Sequence, residues 1–289
     1  MHPAPSIIAF TTLSGLGFGL LALLGLGYPG VTGWTAFVFF VIAYLLAAGG
    51  LVASTLHLGH PERALKAFTQ WRSSWLSREG WLAVATLIVM APYGAGLVFA
   101  DTRLGFLGII GALLAVGTIF ATSMIYTQLR TVPRWNHWSP PALFLAYGIT
   151  GGTLLAGQVS VAIWFLPLLG ILQVAAWYDQ DRTEAASDST METATGLGTI
   201  GKVRAFEAPH TGGNYLTHEM VFRVARKHAQ TLKIISLSLA VVLPVLILLL
   251  PFSHAFAVAA ILSHLAGVFV QRWLFFAEAK HVVGLYYGR

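Results

Sequence analysis

The sequence predicts an all-α integral membrane protein, an eight-transmembrane-helix bundle that forms a single membrane domain over residues 1–289. Three observations predict it. The chain is 56% hydrophobic and only 10% charged, with a mean hydropathy of +0.73, whereas soluble domains carry about 25% charged residues. Its apolar residues gather into eight long runs, and helices are the form in which such runs satisfy their own backbone polar groups in lipid. Counted to the nearest loop or flank, 16 of the 17 Lys and Arg go to the loops 2–3, 4–5 and 6–7 or the C-terminal side, none to the N-terminus, and Arg103 alone goes to the opposite loops. Positive loops stay in the cytoplasm, so both termini are expected there, in a bacterial inner membrane. An odd number of spans would split these charges between the two sides.

The spans are expected at residues 6–26, 34–56, 79–100, 104–130, 141–157, 159–178, 232–250 and 254–276, each near the roughly 20 residues that a 30 Å hydrocarbon core requires. The first has no Lys or Arg ahead of it. It therefore lacks the basic segment of a cleaved signal peptide and is expected as a retained helix. Gly15 and Gly19, and again Gly148 and Gly152, are four residues apart, a spacing that lets helices approach closely. The fifth span is the shortest. The loop 179–230 is the one sizeable polar segment. Its first part reads as irregular, and its second part as a short helix capped by Asn214 or Thr217, with Arg223, Arg226 and Lys227 on its surface. His264 and Gln173 are the polar residues noted at mid-depth, and no acidic residue joins them there. That scarcity disfavours a transporter, which would use charges near the bilayer midplane.

Several chemistries are excluded or demoted. There is no Cys, so disulfides and Cys-ligated zinc or iron–sulfur clusters are absent from the chain. The net charge of +6 belongs to loops beside apolar spans and points to lipid headgroups, not nucleic acid. Gly196, Gly198 and Gly201, followed by Lys202, match a dinucleotide fingerprint in spacing. They follow an acidic Ser/Thr-rich loop, where the fingerprint needs a strand. A haem with two axial His in the bilayer core needs a second deep His beside His264, and the sequence has none; an edge haem using His57 or His281 stays open. His264 is expected to bond between helices. His57, His60 and Glu62 have a metal-like spacing, but Pro61 and Arg63 favour a turn with an ion pair.

The polar island at residues 56–80 is the informative stretch. It holds His57, His60, Glu62, Arg63, Lys66, Arg72, Arg78 and Glu79, with Trp71 and Trp75, between two apolar spans. His57 ends one span and Glu79 opens the next. A quinone needs an apolar slot, hydrogen bonds to its carbonyls and a proton route, which a His and a partly desolvated Glu can supply. Trp belts and a Glu at a helix start are also ordinary interfacial anchors. On the residues alone both readings stay open.

The segments LHLGHPERA, SSWLSRE and RWLFFAEAKHVVGLYYGR resemble the membrane anchor subunits of the dimethyl sulfoxide reductase type. The resemblance runs from the first span to the last. It implies a subunit that does not act on the substrate itself. Such a subunit holds a molybdopterin catalytic subunit and a four-cluster iron–sulfur subunit on the membrane and exchanges electrons with ubiquinone or menaquinone, typically without haem. It implies that His57 and Glu79 contact quinone, with Ser77, Arg78 and Arg63 as neighbours. The exposed middle of the island, His60, Lys66, Trp71, Arg72 and Trp75, is then expected to dock the iron–sulfur partner. The C-terminal AEAKHVVGLYYGR resembles one branch more closely, the anchors of cytoplasmic sulfite-oxidising molybdoenzymes. A quinol-oxidising anchor of a sulfoxide or N-oxide reductase is the alternative within the family.

Overall fold

A computed structural model describes all residues except 57–59, 208, 211, 222–227 and 288–289. His57 and the basic trio Arg223, Arg226 and Lys227 lie outside the described residues. Within them the regular structure is helical: α1 Pro5–Leu26, α2 Gly33–Thr55, α3 Trp75–Phe99, α4 Gly105–Thr127, α5 Ser139–Leu155, α6 Val159–Ala185, α7 Met191–Thr195, α8 Ala229–Leu248 and α9 His254–Ala277. Two 3-10 segments, Pro61–Phe68 and Val282–Tyr287, complete the loops.

Seven of these helices are long and apolar enough to cross a membrane: α1, α2, α3, α4, α6, α8 and α9. α5 has 17 residues, which at 1.5 Å per residue reaches about 26 Å, short of a full hydrocarbon core. It is nevertheless part of the bundle and packs against α1, α4, α6 and α9.

α1 is the most deeply buried of these apolar helices, and small residues let its neighbours close on it. A methyl group at Gly19 would collide with the Gly148 carbonyl, and one at Gly152 with the Gly19 backbone. The α1–α5 crossing is thus a glycine contact, the kind of close approach that four-residue glycine spacing permits. On the α2 side, Gly17 packs against the Ala47 backbone.

Several boundaries differ from those read in the sequence. α3 begins one turn early, so Glu79 lies in its second turn instead of at its start. α6 continues to Ala185. The extension presents Asp179, which accepts from the Trp138 indole at 2.8 Å, and Asp181, which accepts from Arg134 at 2.5 Å. These polar contacts support a helix where apolar periodicity has ended. α8 carries one π turn, Ser238–Val242. In the 179–230 loop, a π turn spans Leu216–Met220; its N-cap is Tyr215, with no side-chain cap. Asn214 instead donates to the Tyr287 hydroxyl at 3.3 Å. Gly196 ends α7 in the left-handed region, φ 69°, so the first glycine of the fingerprint serves as a helix terminator.

One face of the bundle gathers the N-terminus, the segment after α9, the described part of the island and loop 4–5. The N-terminal amine donates to Ala279 O at 2.6 Å, and Trp135 of loop 4–5 donates from its indole to Phe275 O at 3.1 Å. On the opposite face, Arg103 donates to Leu26 O at 2.5 Å, at the carbonyl end of α1, where a cation is favoured.

Candidate functional site: the Glu79 region

The first two turns of α3 grip the island. Ser77 Oγ donates to Ala67 O and accepts from the Gln70 amide at 3.1 Å. Arg78 donates from Nε to Trp71 O at 3.0 Å and from Nη2 to Arg72 O at 2.7 Å, and its guanidinium lies 4.4 Å from the Trp75 ring centre. Trp81 donates from its indole to Phe68 O at 3.0 Å. Backbone carbonyls of a short irregular loop need donors, and three α3 side chains supply them. Ser77 and Arg78 are therefore engaged with the loop backbone.

Glu79 points the other way, into the bundle. It is only 3% exposed, and Thr122 Oγ1 of α4 donates to its Oε1. Among the described residues no cation lies within ion-pair distance of it. Beside it on the helix surface, Trp71, Trp75, Arg78, Trp81 and Leu82 line a groove of about 490 Å³. Trp75 also packs edge-on to Phe120 of α4, 5.8 Å between ring centres. A flat ring with an apolar tail fits such an aromatic lining, and the open mouth matches a ligand that arrives from lipid. Glu79 itself does not line the groove; it sits on the adjoining, inward face of the same helix.

The remaining island residues are at the surface. His60 Nδ1 lies 2.9 Å from Glu62 Oε1 and Arg63 Nε 3.9 Å from the same oxygen, which is the turn with an ion pair that Pro61 and Arg63 predict. Arg63 is thus an exposed partner of Glu62. His60, Lys66, Trp71 and Arg72 are exposed, and Trp75 is half-buried.

Beyond Glu79 the interior holds polar groups that the sequence reading missed. Arg272, on α9, is 1% exposed. Its guanidinium lies 3.7 Å from the Phe144 ring centre and 5.3 Å from that of Tyr147, and its Nε and Nη1 have no hydrogen-bond partner. Tyr147 donates to Gln173 Oε1 at 3.0 Å. His264 Nδ1 meets Ala240 O of α8 at 2.6 Å, the interhelical bond expected of it. Arg272 lies inside the run 254–276, and a basic residue within a span is a signal in its own right. Counting it and Lys233 with the cytoplasmic flanks hid that signal; both are buried within helices.

Between the bundle and the loops lies an ionic knot. Arg134 of loop 4–5 reaches Asp181 at 2.5 Å, Glu184 at 3.5 Å and Glu278 at 3.2 Å. Lys233 reaches Glu278 at 3.0 Å, and Lys280 pairs with Glu184. Burial works against the Arg134 charge, but the carboxylates of Glu278, Asp181 and Glu184 outweigh it and hold the guanidinium above its ordinary pKa.

A multi-pass helical bundle with one charged face is the architecture of an integral membrane subunit. The chain matches the family described as DMSO reductase anchor subunit (DmsC) over residues 6–288, and it belongs to that family. It is 31% identical to a subunit of the sulfite dehydrogenase of Allochromatium vinosum, across 99% of both sequences. It is 32% identical to one polypeptide of the anaerobic dimethyl sulfoxide reductase of Escherichia coli, over 46% of this sequence and 49% of that one. No solved structure matches it.

Proposed function

We propose that this membrane anchor passes electrons from an iron–sulfur partner to quinone beside Glu79, in a complex whose molybdopterin subunit oxidises sulfite. One observation carries the placement. Glu79 is a buried carboxyl in the second turn of α3, adjoining a Trp-lined groove. Full-length similarity to a subunit of a sulfite dehydrogenase supports the choice of substrate.

In this reading the protein crosses a bacterial inner membrane eight times, α5 included, with both termini in the cytoplasm. The alternation of Lys and Arg supports that orientation. His60, Lys66, Trp71, Arg72 and Trp75 form the docking surface, and the 179–230 segment is a cytoplasmic loop. Ubiquinone or menaquinone, when bound, takes two electrons from the iron–sulfur chain and two protons and leaves as quinol. Glu79 handles a proton on the cytoplasmic side, and the Trp groove excludes water from the ring. His57, outside the described residues, is proposed as the partner of Glu79. Ser77 and Arg78 act by fixing the loop that shapes the groove.

The test is sulfite-dependent quinone reduction in membranes carrying Glu79→Gln and His57→Ala at full assembly. A loss of tenfold or more, about 1.4 kcal/mol in barrier, is expected for Glu79→Gln. Unchanged rates would remove these residues from the mechanism. The partial similarity to a polypeptide of a dimethyl sulfoxide reductase favours the reverse direction as a second reading. A reporter fused after Arg289 separates the two: a periplasmic C-terminus would undo the sulfite-oxidising branch.

A further inference from the structure

Four charged side chains are buried among the described residues: Glu79, Arg134, Lys233 and Arg272. Arg134 and Lys233 are paired with carboxylates in the knot. That leaves one acid and one base, Glu79 and Arg272, each without an ion-pair partner among the described residues. An arginine keeps its proton in proteins, and a lone charge in a low-dielectric interior is costly. Electroneutrality inside the bundle therefore asks for one negative charge near Arg272.

A contiguous path joins the two. Glu79 is bonded to Thr122, and Tyr126 stands one turn further along α4. The Tyr126 ring packs against Phe275 and Phe276 of α9, 5.4 Å from each, and against Phe144 of α5 at 5.8 Å. Arg272 rests on that same Phe144 ring, one turn before Phe276. Aromatic rings lie between them, and in a low-dielectric interior an attraction acts over more than a contact distance.

We propose that Arg272 and Glu79 are each other's counter-charge, held apart across Tyr126 and Phe144, and that Arg272 is a positioning residue which keeps the Glu79 carboxyl ready to exchange its proton. The charge coupling stands by itself; its bearing on electron transfer rests on the quinone reading above. The other titratable groups facing the pair are few. Tyr126 of α4 stands one turn from Thr122 and packs on the Phe144 ring that carries Arg272, and the Tyr147 ring of α5 lies 5.3 Å from the Arg272 guanidinium; His57, the proposed partner of Glu79, lies outside the described residues. Tyr44 of α2 donates to Leu87 O, two turns from Glu79. Lys233 of α8 is committed to Glu278 and Asp181. No titratable group of α1 or of the Pro61–Phe68 segment contacts Glu79 among the described residues.

The experiment is a double-mutant cycle in the full assembled complex: Glu79→Gln, Arg272→Gln and both together, followed by thermal unfolding. Each single substitution strands a buried charge and lowers Tm. The double substitution removes both charges and recovers at least half of the summed loss. In a second readout, Arg272→Gln moves the pH midpoint of quinone reduction alkaline by about one unit, a tenfold change in proton affinity, and Arg272→Lys restores it. If Arg272→Gln does not assemble, assembly of the double variant supports the coupling and its equal failure overturns it. Additive Tm losses with an unmoved pH midpoint also overturn it. Full quinone reduction by Glu79→Gln would sink the quinone reading and leave the Tm cycle to judge the charge pair.

Discussion

Two arginines of this protein are almost equally buried and do opposite things. Arg134 is 5% exposed and meets three carboxylates; Arg272 is 1% exposed and meets none. Arg134 joins loop 4–5 to the ends of α6 and α9, and through Lys233 to the start of α8. It spends its charge on holding the connections of one face together. Arg272 stands among aromatic rings with two donors unused. A saturated buried charge rigidifies; an unsaturated one is the kind for which a functional role is the first hypothesis.

The comparison can be broken most directly at the knot. Arg134→Ala leaves three carboxylates facing one another and is expected to cost about 3 kcal/mol, the low end for a broken buried pair because Asp181 is half exposed. Thermal unfolding or loss of the assembled complex reads it. Arg134→Lys should recover only part, since an ammonium cannot serve three carboxylates in a fork geometry. At Arg272 the order reverses: Arg272→Lys should be close to wild type, because fixed charge and not hydrogen bonding is what counts there. If the two lysine variants behave alike, the contrast between the arginines fails.

A smaller effect is expected at Arg78. Arg78→Ala removes two bonds to loop carbonyls and should cost about 1–2 kcal/mol locally, visible as faster proteolysis within residues 60–74 and not as a lower global Tm.

The pH dependence separates the knot from the C-terminal segment. The Arg134 pKa is raised above its already high unfolded value, so its stabilisation is complete throughout the acid, neutral and mildly alkaline range and is lost only in strong base. Its contribution should be flat across the physiological range. His281 is the contrary case. Burial first, and then the nearby N-terminal amine, push its pKa down from 6.5. The unfolded segment then binds the proton more readily, so local stability falls as pH drops below about 6.5. Hydrogen exchange at the Val283 amide, which donates to His281 Nδ1 at 3.1 Å, should quicken there after correction for intrinsic rates.

Much of the bundle was legible in the sequence. Long apolar runs dictate helices in lipid, and the four-residue glycine spacings predict close helix approach; that Gly19 meets Gly148 and Gly152 at the α1–α5 crossing came from the structure. Boundaries were less legible. α6 runs on past its apolar run to Ala185 because Arg134 and Trp138 receive its carboxylates, partners more than 40 residues away in sequence. Within the candidate site, Glu79 was visible as a carboxyl at a span edge. That it faces Thr122 and not the Trp groove was not visible, because the starting turn of α3 sets which way it points.

By itself, then, the sequence determined the class: helices from hydropathy, and a polar island between α2 and α3. Local composition suffices for these because lipid solvation acts on each segment separately. Only the tertiary structure decided which charges are answered. Arg134 and Arg272 look alike as letters, and burial gives both the same need for a counter-charge. Whether a carboxylate lies within reach depends on helices brought together from distant parts of the sequence.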